Sequence, residues 1–321
     1  MSATLRGVAC MVGWMLCAAA SAQQYPNKPI RIITVGADPT MPRILAAELS
    51  GSLGQQVYVE EHAGASGTIG AALAARAPAD GYTFMVATST HMVTPHFYNL
   101  SYDILRDFDP VTLLASTPFV LLAHPSLPVK TLADLIKLAK ARPGQLNYSA
   151  TSAGSTSMLT MEMFKAGAQV NIVHIPYKAV SGALADAIAG QVHMTLSVTP
   201  AALPMIKAHR VRALAVSIPK RSAVLPDVPT FAEQGLPNVV SPAWFGLVAP
   251  AKTPASMIKR MNAEVIKALR KPEVRKRVLG LAMDPGENTP EEFRSYMKAE
   301  LARWTQAVKD ANINIPKVGG G

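Results

Sequence analysis

Residues 29–88 read PIRIITVGADPTMPRILAAELSGSLGQQVYVEEHAGASGTIGAALAARAPADGYTFMVAT, and this stretch decides the fold class. Three short runs rich in β-branched and aromatic residues, 29–35, 56–60 and 82–88, read as strands. Two helical segments lie between them. Residues 42–53 carry Ile44, Leu45, Leu49 and Leu53 near helical spacing, and residues 68–77 are rich in alanine. Strand–helix alternation of this kind predicts a parallel sheet covered by helices, because parallel neighbours need a crossover connection that a helix supplies.

Downstream the rhythm repeats. Thr131 with Asp134 forms a capping-box pattern that opens a helix over 132–141, stopped by Arg142-Pro143-Gly144. Strands are expected at 146–150, 172–176, 192–197 and 211–217, with helices at 158–166, 182–189 and 201–208. Thr253-Pro254 reads as an N-cap followed by proline, ahead of a stripe of Met257, Ile258, Met261, Val265 and Leu269. Residues 267–277 continue as a basic, solvated helix face. Thr289 with Glu292 opens a last helix whose stripe, Phe293, Met297, Leu301, Trp304 and Val308, reads as core packing, and residues 317–321 read as a frayed tail. With no repeat and no flexible linker, two α/β units suggest packed lobes. The apolar stretches 119–123 and 244–248 are the expected chain crossings, giving one lobe of 23–118 plus 244–321 and another of 119–243.

Upstream, residues 1–22 read MSATLRGVACMVGWMLCAAASA. Arg6 supplies a positive start, residues 8–20 form an apolar stretch, and Ala20-Ser21-Ala22 has the form of a cleavage site. The stretch falls short of the roughly 20 residues that span a bilayer. It predicts a signal peptide cleaved near Ala22/Gln23 and a periplasmic protein. Both cysteines, Cys10 and Cys17, lie in this segment, so the rest is held by its core and not by disulfides. The whole chain carries a formal charge of +10, which falls to +9 without Arg6. The lysines and arginines are scattered, which argues against nucleic-acid binding and fits a field that favours anions.

No metalloprotease, hydrolase-elbow, phosphate-loop or intact dinucleotide-binding motif is present. His91 and His96 are five apart, a poor spacing for two ligands on one helix face, so no metal and no cofactor are expected. The loops instead are rich in small polar groups. Thr88-Ser89-Thr90 ends a strand, Thr151-Ser152-Ala153-Gly154-Ser155-Thr156-Ser157 joins a strand to a helix, and Gly64-Ala65-Ser66-Gly67 precedes another helix. Backbone N–H groups at helix starts bind anions, hydroxyls add donors, and loops at the carboxyl ends of strands are where open α/β sheets bind ligands. Ordinary N-capping explains any one loop; three together point to a shared anion site.

Several segments then carry a family resemblance: YPNKPIR at 25–31, PADGYTF at 78–84, LNYSATSAGSTSM at 146–158, VHIPYK at 173–178, RALAVSIPKRSAVLPDVPT at 212–230 and WFGLVAPAKTP at 244–254. In order and spacing they resemble the Bug-type periplasmic binding receptors of tripartite tricarboxylate transport systems. The resemblance implies a type II periplasmic binding protein: two α/β lobes, each a mainly parallel sheet flanked by helices, joined by two crossing strands. It implies a small organic carboxylate held in the cleft by Thr88, Ser89 and Thr90 on one lobe and by Ser152, Gly154, Ser155 and Thr156 on the other, with Tyr177 and Lys178 nearby. It implies delivery by a monomeric receptor to two membrane subunits of a permease. A receptor that signals to a sensor kinase is the alternative, and a hydrolase a more distant one.

The sequence departs from the family in two places. The first loop usually reads P-F-x-P-G-G-x-x-D, but here residues 35–42 are VGADPTMP. Asp38 then either caps the following helix, the commoner use of Asp before a helix, or faces the cleft and pairs with a ligand ammonium. Ser197 stands where the family usually has an aspartate.

Overall fold

The computed structural model describes residues 25–36, 39–151, 154–310 and 317–319. The first lobe opens with β1 (Ile30–Thr34), α1 (Thr40–Leu53), β2 (Val57–Glu61), α2 (Thr68–Ala75) and β3 (Thr83–Thr88). β1 pairs in parallel with β2 on one side and β3 on the other. Helices cover both faces of these strands, which explains their apolar, non-alternating sequences: all six residues of β3 are buried. A single helical turn, α3 (Thr90–Val93), follows β3, and then come the two-residue β4 (Tyr98–Asn99) and β5 (Phe108–Ala123).

β5 is shared by both lobes. Its first part, through Pro118, pairs antiparallel with β10 (Pro242–Pro250), which in turn pairs with β3. From Phe119 to Ala123 the same strand pairs antiparallel with β8 (Met194–Val198) and β9 (Arg212–Val216). The second sheet continues in parallel through β6 (Asn147–Thr151) to β7 (Val173–Tyr177). Its helices are α4 (Leu132–Ala141), α5 (Thr156–Ala168), α6 (Val180–Ile188) and α7 (Thr199–Lys207). The chain returns to the first lobe by entering β10, and α8 (Ala255–Arg270), α9 (Pro272–Gly280), β11 (Asp284–Pro285), α10 (Pro290–Asp310) and β12 (Val318–Gly319) complete it. This is the two-lobed architecture of a periplasmic binding protein.

Where the chain changes lobe, buried Ser217 ties both passages. It receives a backbone bond from Ser241 and donates its own N–H to Phe119 O. Its hydroxyl accepts from Phe119 N at 3.0 Å and donates to Ser241 O at 2.7 Å. Trp244 on β10 packs edge-on against Phe293 and Tyr296 of α10 and donates Nε1–H to Glu300 at 3.0 Å. The carboxyl-terminal helix is thereby anchored on the strand at the centre of the first sheet. Burying aromatic side chains of this size is worth about 2–3 kcal/mol each.

Several expectations need correction. Thr253 does not cap α8; its hydroxyl donates to Pro250 O at 2.7 Å, and Pro254 holds the N-cap position without a side-chain bond. The basic run at 267–277 is two helices, because Pro272 pushes Lys271 out of the helical region (φ −59°, ψ 129°). The tail is not wholly frayed: Val318 and Gly319 pair in parallel with Tyr98 and Asn99. α1 begins at Thr40 with Pro39 in the N-cap position, whereas Asp38 and the expected signal peptide lie outside the described residues.

Candidate functional site

The carboxyl ends of the parallel strands from both lobes meet at one cleft, enclosing about 730 Å³ of atom-free space including its mouth. From the first lobe it is lined by Val35 and Gly36 after β1, Ser66, the Thr88-Ser89-Thr90 turn and Ala243-Trp244-Phe245 of β10. From the second lobe come Phe119 of β5, Thr151 and Ser157 at either end of the β6–α5 loop, Lys178, Val180 and Ala183 around the start of α6, and Thr195–Val198 of β8.

The first-lobe wall is organised around His91. This side chain is fully buried, and its Nδ1 accepts the backbone N–H of Thr88 at 3.0 Å and lies 3.2 Å from the Thr88 hydroxyl. Burial pushes its pKa down to about 4, so the ring is neutral, and with Nδ1 accepting, the proton sits on Nε2. A Cβ placed on Gly67 would stand 3.4 Å from that nitrogen. One imidazole therefore packs the β3 turn against the loop that carries Ser66. That loop is itself strained: Ala65 and Ser66, neither of them glycine, have φ of 45° and 54°. Left-handed backbone at such residues costs roughly 1–2 kcal/mol each, and such strain clusters at functional loops.

The second-lobe wall begins where β6 runs into α5. Ser155 is the N-cap; its hydroxyl accepts from Met158 N at 3.2 Å and donates to Thr151 O at 3.0 Å. Thr156 reaches across to the first lobe. Its N–H donates to Thr90 Oγ1 at 3.3 Å, its hydroxyl donates to Ser89 Oγ at 3.1 Å, and Thr90 Oγ1 lies 3.1 Å from Thr156 Oγ1. A hydroxyl has one hydrogen. Since Thr156 gives its hydrogen to Ser89, Thr90 must be the donor to Thr156. The relay thus runs from Thr90 through Thr156 to Ser89, and the hydrogen of Ser89 is left to point onward as a donor.

The expected site residues separate by position. Ser66, Thr88, Ser89, Thr90, Lys178 and Ser197 line the cleft. Gly154, Ser155 and Thr156 lie behind its surface, as a close lobe contact, a helix cap and a bridge between lobes. Tyr177 does not line it: its hydroxyl donates to Asp186 on α6, and the bond to that carboxylate raises its pKa. Asp38 and Ser152 lie outside the described residues. The sequence reading overlooked the apolar lining from Phe119, Val180, Ala183, Trp244 and Phe245. Among the described lining residues Lys178 is the one charged side chain, so the lining is otherwise neutral donors and hydrocarbon.

Two α/β lobes bridged by a shared strand, with hydroxyl-bearing strand ends facing each other across the cleft, define a two-lobed solute-binding protein. The model of the tripartite tricarboxylate transporter family receptor matches residues 41–313. Protein BugT of Bordetella pertussis is 34% identical over 309 residues, covering 94% of each chain. A solved R. palustris protein with adipate is 34% identical, with a TM-score of 0.87 over 90% of this chain and 99% of that one. MatC from Rhodopseudomonas palustris, with bound malate, is 30% identical, with a TM-score of 0.84 over 88% of this chain and 100% of that one. The chain belongs to the tripartite tricarboxylate transporter receptor family; it is a solute-binding receptor and not an enzyme.

Proposed function

We propose that the protein captures a small carboxylate in the inter-lobe cleft of the periplasm and hands it, as a monomer, to the two membrane subunits of a cation-coupled permease. The observation that carries the carboxylate reading is the hydroxyl relay. Its one remaining donor is at Ser89, where the strand ends of both lobes converge, and Ser157 in the first turn of α5 lies on the opposite wall. Directed donors and a helix N-terminus favour an anion. The adipate and malate held by related structures support the same chemistry.

On this reading Ser66, Thr88, Ser89, Thr90, Lys178 and Ser197 touch the ligand, and Thr156 acts through Ser89 and Thr90. The lobes are taken as 23–118 plus 244–321 and 119–243, with residues 1–22 removed on export. Mass spectrometry of small molecules released from freshly purified, denatured protein is expected to find a carboxylic acid that rebinds in calorimetry. Recovery of only neutral or cationic molecules overturns the reading. Intact mass of the exported protein should begin near Gln23.

A further inference from the structure

We propose that the ligand is a carboxylate with an unsubstituted hydrocarbon body, in preference to a hydroxylated one. This rests on the carboxylate reading and narrows it. Half of the second-lobe lining residues are hydrocarbon: Phe119 and Val198 sit opposite each other on neighbouring strands, and Leu196, Val180 and Ala183 extend the surface. Phe245 contributes apolar surface from the first lobe. Ala183 is fixed in place because its carbonyl accepts the Ser149 hydroxyl at 2.9 Å, so this wall does not readily recede from a ligand.

Most hydroxyls between these groups are already engaged by the protein, and Ser197 reaches only its neighbour's carbonyl, Val198 O, at 3.5 Å. Thr195 donates to Ser149 O at 3.1 Å, Thr151 and Ser157 are bonded to each other at 3.1 Å, and Thr88 is bonded to His91. The donors left to an anion are the Ser89 hydroxyl and the Lys178 ammonium. A ligand hydroxyl pressed against the apolar wall would lose water without gaining a partner, and methylenes in the same place would gain from leaving water.

The test is calorimetry with adipate, benzoate, succinate and malate on the wild-type protein and on Val180→Thr. Succinate and malate differ by one hydroxyl, and adipate adds two methylenes to succinate. Each buried methylene is worth roughly fourfold in affinity. Adipate is therefore expected to bind about tenfold or more tighter than succinate, and succinate about tenfold tighter than malate. Val180→Thr keeps the side-chain shape while adding a hydroxyl; with an unchanged melting temperature, it should narrow the gap between succinate and malate. Malate binding as tightly as succinate or tighter overturns the hydrocarbon-body inference and leaves the carboxylate reading standing. If none of the four acids binds, the hydrocarbon-body inference fails, and the carboxylate reading is decided separately by the molecule released from the denatured protein.

Discussion

Thr156 shows how much a single side chain does at this site. It does not line the cleft, yet both of its hydroxyl bonds cross from one lobe to the other. Thr156→Val keeps its shape and removes both. At about 0.5–1.5 kcal/mol for each neutral hydrogen bond, ligand affinity should fall by roughly tenfold, with little change in the melting temperature of the unliganded protein. Calorimetry and thermal melting check the two halves. His91 makes a prediction in pH. Its folded pKa of about 4 lies below the ordinary 6.5, so the folded protein binds fewer protons than the unfolded chain between those values. The stability from the neutral ring is complete above about pH 6.5 and is lost as pH falls toward 4, a change of about 3 kcal/mol. Denaturant unfolding at pH 7 and 4.5 should show a smaller acid loss in His91→Gln than in wild type, since the carboxylates contribute equally to both. The polar lining was legible in the sequence because Thr88–Thr90 and Ser197 stand at strand ends, where ligands gather. The apolar lining was not: Phe119, Val180 and Ala183 have the composition of any core, and only the meeting of two lobes turns them into a wall. The bond from Tyr177 to Asp186 could not be read, because the two lie nine positions apart and become neighbours only when α6 folds back over β7.

Among the elements, β5 joins the lobes, and the stitch at Ser217 decides how firmly. Ser217→Ala leaves the buried Phe119 N–H without its side-chain partner, which should lower stability by about 1–3 kcal/mol in urea unfolding. If the junction also sets the angle between lobes, affinity falls more than the stability loss explains. Most strands and helices could be read directly, since buried parallel strands and amphipathic helices each carry a period. The first part of β5, residues 108–118, escaped because Asp109, Pro110 and Pro118 interrupt its apolar pattern. Those prolines are tolerated where the antiparallel ladder with β10 shifts register or ends. The split between α8 and α9 was visible in Pro272 and was passed over in favour of the basic run around it.

At the scale of the whole molecule, the lobes touch at close range around the cleft. A Cβ on Gly154 would stand 2.8 Å from Phe97 Cβ, and one on Gly36 would stand 3.3 Å from Lys178 O. Gly154→Ala should therefore favour the lobes apart: small-angle scattering with saturating ligand should show a larger radius of gyration than for wild type, and affinity should weaken. In wild type, ligand at a hundred times Kd should stabilise by about 2.7 kcal/mol and raise Tm by roughly 5 °C. The strand order carries a consequence of another kind, concerning how the chain is made. β10 lies between β3 and β5, so the middle of the first sheet is filled by a segment made more than a hundred residues after both of its neighbours. Until residues 242–250 emerge, β3 and β5 have no common partner, and α10 has no strand on which to dock. A chain leaving the ribosome thus cannot finish its larger lobe before synthesis is nearly over. Such late completion keeps the polypeptide threadable until most of it has been made.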